Sequence, residues 1–179
     1  SLQASVLRST APGRGNPRNE QVYIAASLYD PNGEIVRGEW GRRVLELIEL
    51  LGEDNVFLSI YENGSGTEGE NALLALARMV TCNKTIGFEK DMPLEGLTTV
   101  TVPGGQERIK RIDYLAEVRN RALPPLDIHP EKQYDKLLYL NDIIFDPIDA
   151  VQLLFSTNAD ENGIARCRSA CAVDFINPF

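Results

Sequence analysis

The stretch "LLYLNDIIFDP", residues 137–147, decides the fold class. Leu137, Leu138, Tyr139 and Leu140 run into Asn141 and a carboxylate, Asp142, and the apolar triplet Ile143, Ile144 and Phe145 follows before a turn at Asp146 and Pro147. A short apolar run bounded by turn residues predicts a strand buried on both faces, the kind found inside a parallel sheet. An acid at the carboxyl end of such a strand stands where open α/β sheets bind their ligands. Asp146 as N-cap, Pro147 at the first helical position and Asp149 in the first turn open a helix over "PIDAVQLLF", so capping accounts for those two acids. It does not account for Asp142.

Upstream, apolar runs and amphipathic runs alternate. "QVYIAASLYD" reads as a first strand closing on the turn Pro31-Asn32-Gly33. In "EWGRRVLELIELLG" the residues Trp40, Val44, Leu47, Ile48 and Leu51 fall at helical spacing, with Gly52 at the C-cap. "NVFLSIYENGS" is a second strand, and "GENALLALARMV" a second helix with Leu73, Leu76, Ala77 and Val80 aligned. This order predicts an α/β fold with a mostly parallel sheet. "NKTIGFEKD" is a third strand, and "TTVTVPGGQ" an edge strand or a loop. A helix from about Lys110 to Leu123 would place Ile112, Leu115, Ala116, Ala122 and Leu123 on one face with Arg119 in its middle. That guanidinium either snorkels to water or meets an anion at the sheet edge, because a partly buried arginine without a partner is costly.

The 179 residues suit one domain. Residues 1–20 mix Gly, Pro, Ser and Arg without periodicity and read as an extended or mobile arm, or stem remnant, whose order would need docking; the domain proper is 21–179. A net charge of −8, from 26 acidic and 18 basic side chains, argues against nucleic acid and anionic membrane surfaces as partners. A divalent metal and a few local bases can still invert the potential at one site. Three cysteines without CxxC spacing and a single histidine, His129 in a Pro-bounded loop, disfavour zinc. There is no GxGxxG after the first strand, no GxxxxGK[ST] and no GxSxG, so the usual dehydrogenase, P-loop and serine hydrolase signatures are missing. Two sequons, at Asn63 and Asn83, would accept glycans in a secretory lumen, and no apolar run approaches the roughly 20 residues of a membrane span. Glu62 and Asp142 remain, each at a strand end. In a parallel sheet both project at one rim, where a nucleotide can engage one through its base or ribose and the other through a metal-bridged diphosphate.

The blocks "YIAASLYD", "VFLSIYENGS", "RIDYLAEVRNRAL", "KLLYLNDIIFDPIDAVQLL" and "RSACAVDFINPF" resemble, in order and spacing, the fungal α-1,3-mannosyltransferases and capsule-associated proteins of glycosyltransferase family 69. The resemblance covers nearly all of 22–179. It implies a GT-A-like (Rossmann-like) fold, incomplete in this chain, a GDP-mannose donor, Mn2+ or another divalent cation, and a retained α configuration in an α-1,3 linkage to a glycan acceptor. It also implies a type II membrane protein of the Golgi lumen whose anchor precedes residue 1. Donor-nucleotide contacts are implied at Ser27, Tyr29, Glu62, Asn63, Arg119, Asn120 and Asn141. Asp142, five residues before Pro147, matches the last, metal-binding acid of the GT-A motif, while Leu140 and Asn141 replace its other members. A metal would then be held mainly by Asp142, water and the donor diphosphate. The family's acceptor-side blocks come after residue 179, so no catalytic residue is assigned and the chain alone is expected to be inactive in transfer. Two other readings stay open: a related enzyme using another donor, such as UDP-galactose or UDP-xylose, and a non-catalytic α/β interaction module.

Overall fold

A computed structural model describes residues 6–128 and 132–172. The elements run β1 (Val22–Leu28), α1 (Glu34–Arg37), α2 (Glu39–Leu51), a 3-10 turn (Glu53–Asn55), β2 (Val56–Asn63), α3 (Gly66–Met79) and β3 (Asn83–Glu89), followed by β4 (Thr99–Thr101), β5 (Glu107–Ile109), α4 (Arg111–Asn120), α5 (Pro124–Ile128), β6 (Lys136–Leu140) and α6 (Pro147–Ser156). Four strands form a parallel sheet in the order β3-β2-β1-β6. The fold is thus α/β and Rossmann-like, as the alternation predicts. β4 and β5 pair with each other as a separate antiparallel hairpin, in the region where the sequence left strand and loop undecided.

Side-chain alternation along β1 divides the molecule into two cores. Val22, Ile24, Ala26 and Leu28 point to one face, where α2, α3 and α6 contribute Trp40, Val44, Leu47, Leu73, Leu76, Val151 and Phe155. Tyr23 and Ala25 point to the other, beneath Val118 of α4 and Ala122 just after it, with Phe57, Tyr61 and Met92 completing the layer. Trp40, Val44, Leu47, Ile48 and Leu51 are all buried, so the α2 stripe falls where the spacing put it. Gly52, at φ 85°, ends that helix in a backbone region that favours glycine. Asp146 caps α6, its side chain accepting the Ile148 amide at 2.8 Å with Pro147 in the first turn.

Two expectations need correction. The strand buried on both faces describes β1 and β2; β6 ends at Leu140, pairs only with β1 among the described residues, and leaves Leu137 49% exposed. An edge strand is covered on fewer sides, so its apolar run does not carry the same meaning. The triplet after Asp142 is loop, with Ile144 68% exposed. The second correction concerns α4, which stops at Asn120 and turns, so that Ala122 and Leu123 reach the core from the turn and not from a helix face. Ile112 consequently faces solvent, 83% exposed, while Val118 is the residue α4 buries. Residues 6–20, whose order was conditional on docking, lie against the domain: Val6 is buried in the first core, and the Gly13 and Gly15 amides donate to the Glu49 and Leu50 carbonyls, each at 2.8 Å.

Candidate functional site

The strand order reverses direction at β1. From β1 the chain proceeds outward to β2 and β3, then returns to add β6 on the other side. Loops leaving β1 and β6 therefore diverge at their carboxyl ends, and the crevice so opened is where sheets of this kind take ligands. A cleft of about 540 Å³ lies there. Its sheet side is made by Ser27, Leu28 and Tyr29 after β1, Asn63 at the end of β2, and Asn141 and Asp142 after β6. α4 crosses above and contributes Arg111, Tyr114, Leu115, Val118 and Arg119. Those five recur at the three- and four-residue steps of a single helix face.

Three hydrogen bonds fix this wall. The Trp40 indole N–H donates to the Asn141 carbonyl at 2.8 Å, holding the loop that carries Asp142. The Asn63 amide donates to the Tyr114 hydroxyl at 2.6 Å, tying β2 to α4. The Tyr139 hydroxyl donates to the Arg119 carbonyl at 3.1 Å, tying β6 to the other end of the same helix. Burial raises the pKa of Tyr139, with the Ser27 hydroxyl and the Arg119 charge acting in the opposite sense, so it is a neutral hydrogen-bond donor at physiological pH. Among the described residues, the side chains of Asp142, Arg111 and Arg119 have no ion-pair or hydrogen-bond partner. Two guanidiniums and one carboxylate give the cleft a local positive balance within a chain of net charge −8. Arg119 is exposed at the cleft, so it neither lies on a buried stripe nor needs to snorkel.

Six of the eight residues expected at the site line this cleft: Ser27, Tyr29, Asn63, Arg119, Asn141 and Asp142. Glu62 and Asn120 do not. Asn120 is exposed at the end of α4, and its carbonyl accepts the Leu123 amide at 3.0 Å. Glu62 is 4% exposed, and its carboxylate accepts the Ser65 amide at 2.5 Å. It opens a chain of buried contacts behind the rim, in which the Ser65 hydroxyl accepts the Asp30 amide at 2.7 Å and the Asp30 carboxylate accepts the Val36 amide at 2.9 Å. Arg111 and Tyr114 were not anticipated. The signal was present, since they stand at helical spacing from Arg119, but it needed the side of α4 that faces the sheet to be known. Of the sequons, Asn83 and Thr85 are exposed on β3, whereas the Asn63 amide and the Ser65 hydroxyl are engaged internally. His129 and 173–179 lie outside the described residues.

A smaller cavity of about 290 Å³ opens at the opposite, amino ends of the strands, between Gln21, Phe57 and Tyr134. It carries one cation, Lys132, set over the Phe57 ring at 5.6 Å, and it lies on the wrong side of the sheet for a switch-point ligand. No group of three or more His, Cys, Asp or Glu side chains among the described residues is placed to hold a metal. No helix among them is long and apolar enough to cross a membrane.

Residues 21–179 match the family model described as Cryptococcal mannosyltransferase 1. The chain belongs to that family. Neither the curated proteins nor the solved structures compared with it gave a match. Membership of the Cryptococcal mannosyltransferase 1 family indicates mannosyltransferase activity in general, between a sugar donor and a glycan acceptor. The family match starts at residue 21, so the docked arm falls outside it.

Proposed function

We propose that the cleft binds the nucleotide diphosphate of GDP-mannose and that the protein transfers mannose to a glycan hydroxyl in an α-1,3 linkage with retention, on a GT-A-type scaffold in the Golgi lumen. The observation that carries this reading is the set Asp142, Arg119 and Arg111, unpaired among the described residues, around a crevice at the β1–β6 switch point. Unpaired guanidiniums facing a cavity suit an anion, and the fork of an arginine matches phosphate oxygens. Family membership supplies the mannosyl class, and the resemblance of the strand-end blocks supplies donor, linkage and compartment.

Mn2+ fits this donor set as a shared ion. One carboxylate without an acid cluster among the described residues makes a poor resident site, but Asp142 together with water and the donor diphosphate would offer the oxygen donors such an ion takes. Asp142 would hold the metal, and the bound ion would supply Lewis-acid stabilisation of charge on the leaving diphosphate. Arg119 offsets charge on the same diphosphate, its helix held in place by Tyr139. Ser27, Tyr29, Asn63 and Asn141 orient the nucleotide along the strand ends. Glu62 supports this wall from behind, and Asn120 lies outside the lining.

Calorimetry on the chain tests the reading. GDP is expected to bind only with Mn2+ present, and Asp142→Ala to abolish that binding. Unchanged metal-dependent binding in the variant would refute the assignment of Asp142. Equal or tighter binding of UDP would transfer the reading to a different donor, and a melting temperature indifferent to GDP with Mn2+ would leave the non-catalytic module in its place.

A further inference from the structure

Two Asn-X-Ser/Thr triplets, Asn63-Gly64-Ser65 and Asn83-Lys84-Thr85, lie at opposite ends of the sheet, and the fold treats them differently. A glycan is bulky and belongs on a surface, so an asparagine that carries one needs open space beyond its amide. Asn63 lacks it. Its amide donates to the Tyr114 hydroxyl at 2.6 Å, its side-chain oxygen is buried, and the Ser65 hydroxyl is 4% exposed and accepts the Asp30 amide at 2.7 Å. Asn83 opens β3, where Asn83, Lys84 and Thr85 are all exposed. Strand alternation puts Asn83 and Thr85 on one face and Lys84 on the other, where its Nζ donates to the Val80 carbonyl at 2.8 Å. Among the described residues neither Asn83 nor Thr85 has a side-chain hydrogen-bond partner, and β3 pairs only with β2, so its outer edge is open. Asn83 lies in register with Phe57, six positions before Asn63 on β2, which sets the two asparagines about 20 Å apart along the strands.

We propose that Asn83 is an N-glycan attachment site and that Asn63 carries no glycan in the folded protein. This rests on the lumenal part of the proposed function and is independent of the nucleotide donor. The co-reactant is a lipid-linked diphosphate oligosaccharide, handled by an oligosaccharide transferase of the lumen. The bond from the anomeric carbon to the diphosphate oxygen breaks and a bond from that carbon to Asn83 Nδ2 forms. The amide gives up one proton, and the lipid diphosphate leaves with the electron pair. Thr85 completes the triplet that such a transferase reads. Folding then decides which products survive. A sugar on Asn83 projects into solvent at the amino end of the sheet, away from the cleft. A sugar on Asn63 would stand between β2 and α4 and prevent the cleft wall from closing.

The experiment secretes the 179-residue chain from a eukaryotic host behind a cleavable leader and maps the glycopeptides of the folded, monodisperse fraction by mass spectrometry. One glycan is expected, on the peptide holding Asn83. Asn83→Gln and Thr85→Val should each remove it, Thr85→Ser should keep it, and Asn63→Gln should leave it in place. A glycan-cleaving amidase should release it without denaturant, because the site is exposed, and the melting temperature of Asn83→Gln should match that of the enzymatically stripped wild type. An unmodified Asn83 in the secreted, folded chain overturns the inference, and so does a glycan on Asn63 in that fraction or one that only denaturant makes accessible. The same mapping on the protein isolated from its own cells separates the two readings. A bare Asn83 there, with a modified one in the secreted chain, would overturn the lumenal location and the natural modification together, whereas a bare Asn83 in the secreted chain overturns the choice of site alone.

Discussion

Glu62 and Asp142 occupy equivalent places in the sequence, each an acid closing an apolar run, yet the structure separates them. The turn after each strand makes the difference. Beyond β2 the chain bends tightly through Gly64 at φ 79° and brings the Ser65 amide onto the Glu62 carboxylate at 2.5 Å. Beyond β6 the loop is held by its backbone, through Trp40 to the Asn141 carbonyl, and the Asp142 side chain is left facing the cleft. Position at a strand end was legible in the sequence; side-chain destination was not, because it depends on which backbone amides the next turn presents. Replacing Glu62 with Ala should therefore lower stability by about 1–3 kcal/mol, the cost of stripping a buried amide of its acceptor. Urea unfolding measures this. An unaltered midpoint would show that the contact chain through Ser65 and Asp30 does not hold the rim.

At the scale of elements, legibility tracked burial. α2 and the strands β1 and β2 were readable because one set of residues decides both their period and their packing. Trp40 through Leu51 repeat at helical spacing and all face one core. α4 was misread because its apolar residues do not share a stripe: Val118 packs on the sheet, Ile112 faces water, and Ala122 arrives after the helix has ended. A helix that lines a cleft divides its face between solvent, ligand and core, and the hydrophobic period blurs. The junction of α1 and α2 carries a different constraint, invisible to periodicity. A Cβ built on Gly41 would stand 1.9 Å from the Val36 carbonyl oxygen, a backbone atom that no rotamer change can move. Alanine is intrinsically favoured over glycine inside a helix by about 1 kcal/mol. Gly41→Ala is nevertheless expected to destabilise the protein by more than about 2 kcal/mol, because α1 must be displaced to admit the methyl group. A thermal melt that rises in this variant would contradict the close packing of the two helices.

For the whole molecule, the packed structure begins earlier in the chain than the family match. The match begins at residue 21, and composition alone marks 1–20 as an arm, since nothing in its spacing reveals a docking surface. The last turn of a helix leaves carbonyls without intrahelical donors. In α2 these are met from the arm: Glu49 by the Gly13 amide and Leu50 by the Gly15 amide, both at 2.8 Å, and Leu51 by the Asn16 side chain at 3.3 Å. A side chain at Gly15 would meet the Leu50 carbonyl oxygen at 2.9 Å and Val151 of α6 at 3.2 Å, so the arm runs close against both helices. Val6 adds a buried apolar contact, and Arg18 reaches the Gly163 carbonyl at 2.8 Å, linking the arm to the segment after α6. Together these contacts oppose the conformational entropy lost in ordering the arm's backbone. Deletion of the arm removes the gain and the entropic cost together, but it also strips acceptors at the end of α2 of their partners. Starting the chain at residue 21 should accordingly lower the melting temperature by roughly 4–8 °C, the equivalent of about 2 kcal/mol in a domain of this size. The cleft lies at the opposite, carboxyl ends of the strands, so GDP affinity with Mn2+ should stay the same at temperatures where the shortened chain is folded. Equal melting temperatures for the two lengths would mean that the arm is not part of the cooperative unit, and a loss of nucleotide affinity at equal stability would mean that it reaches the site.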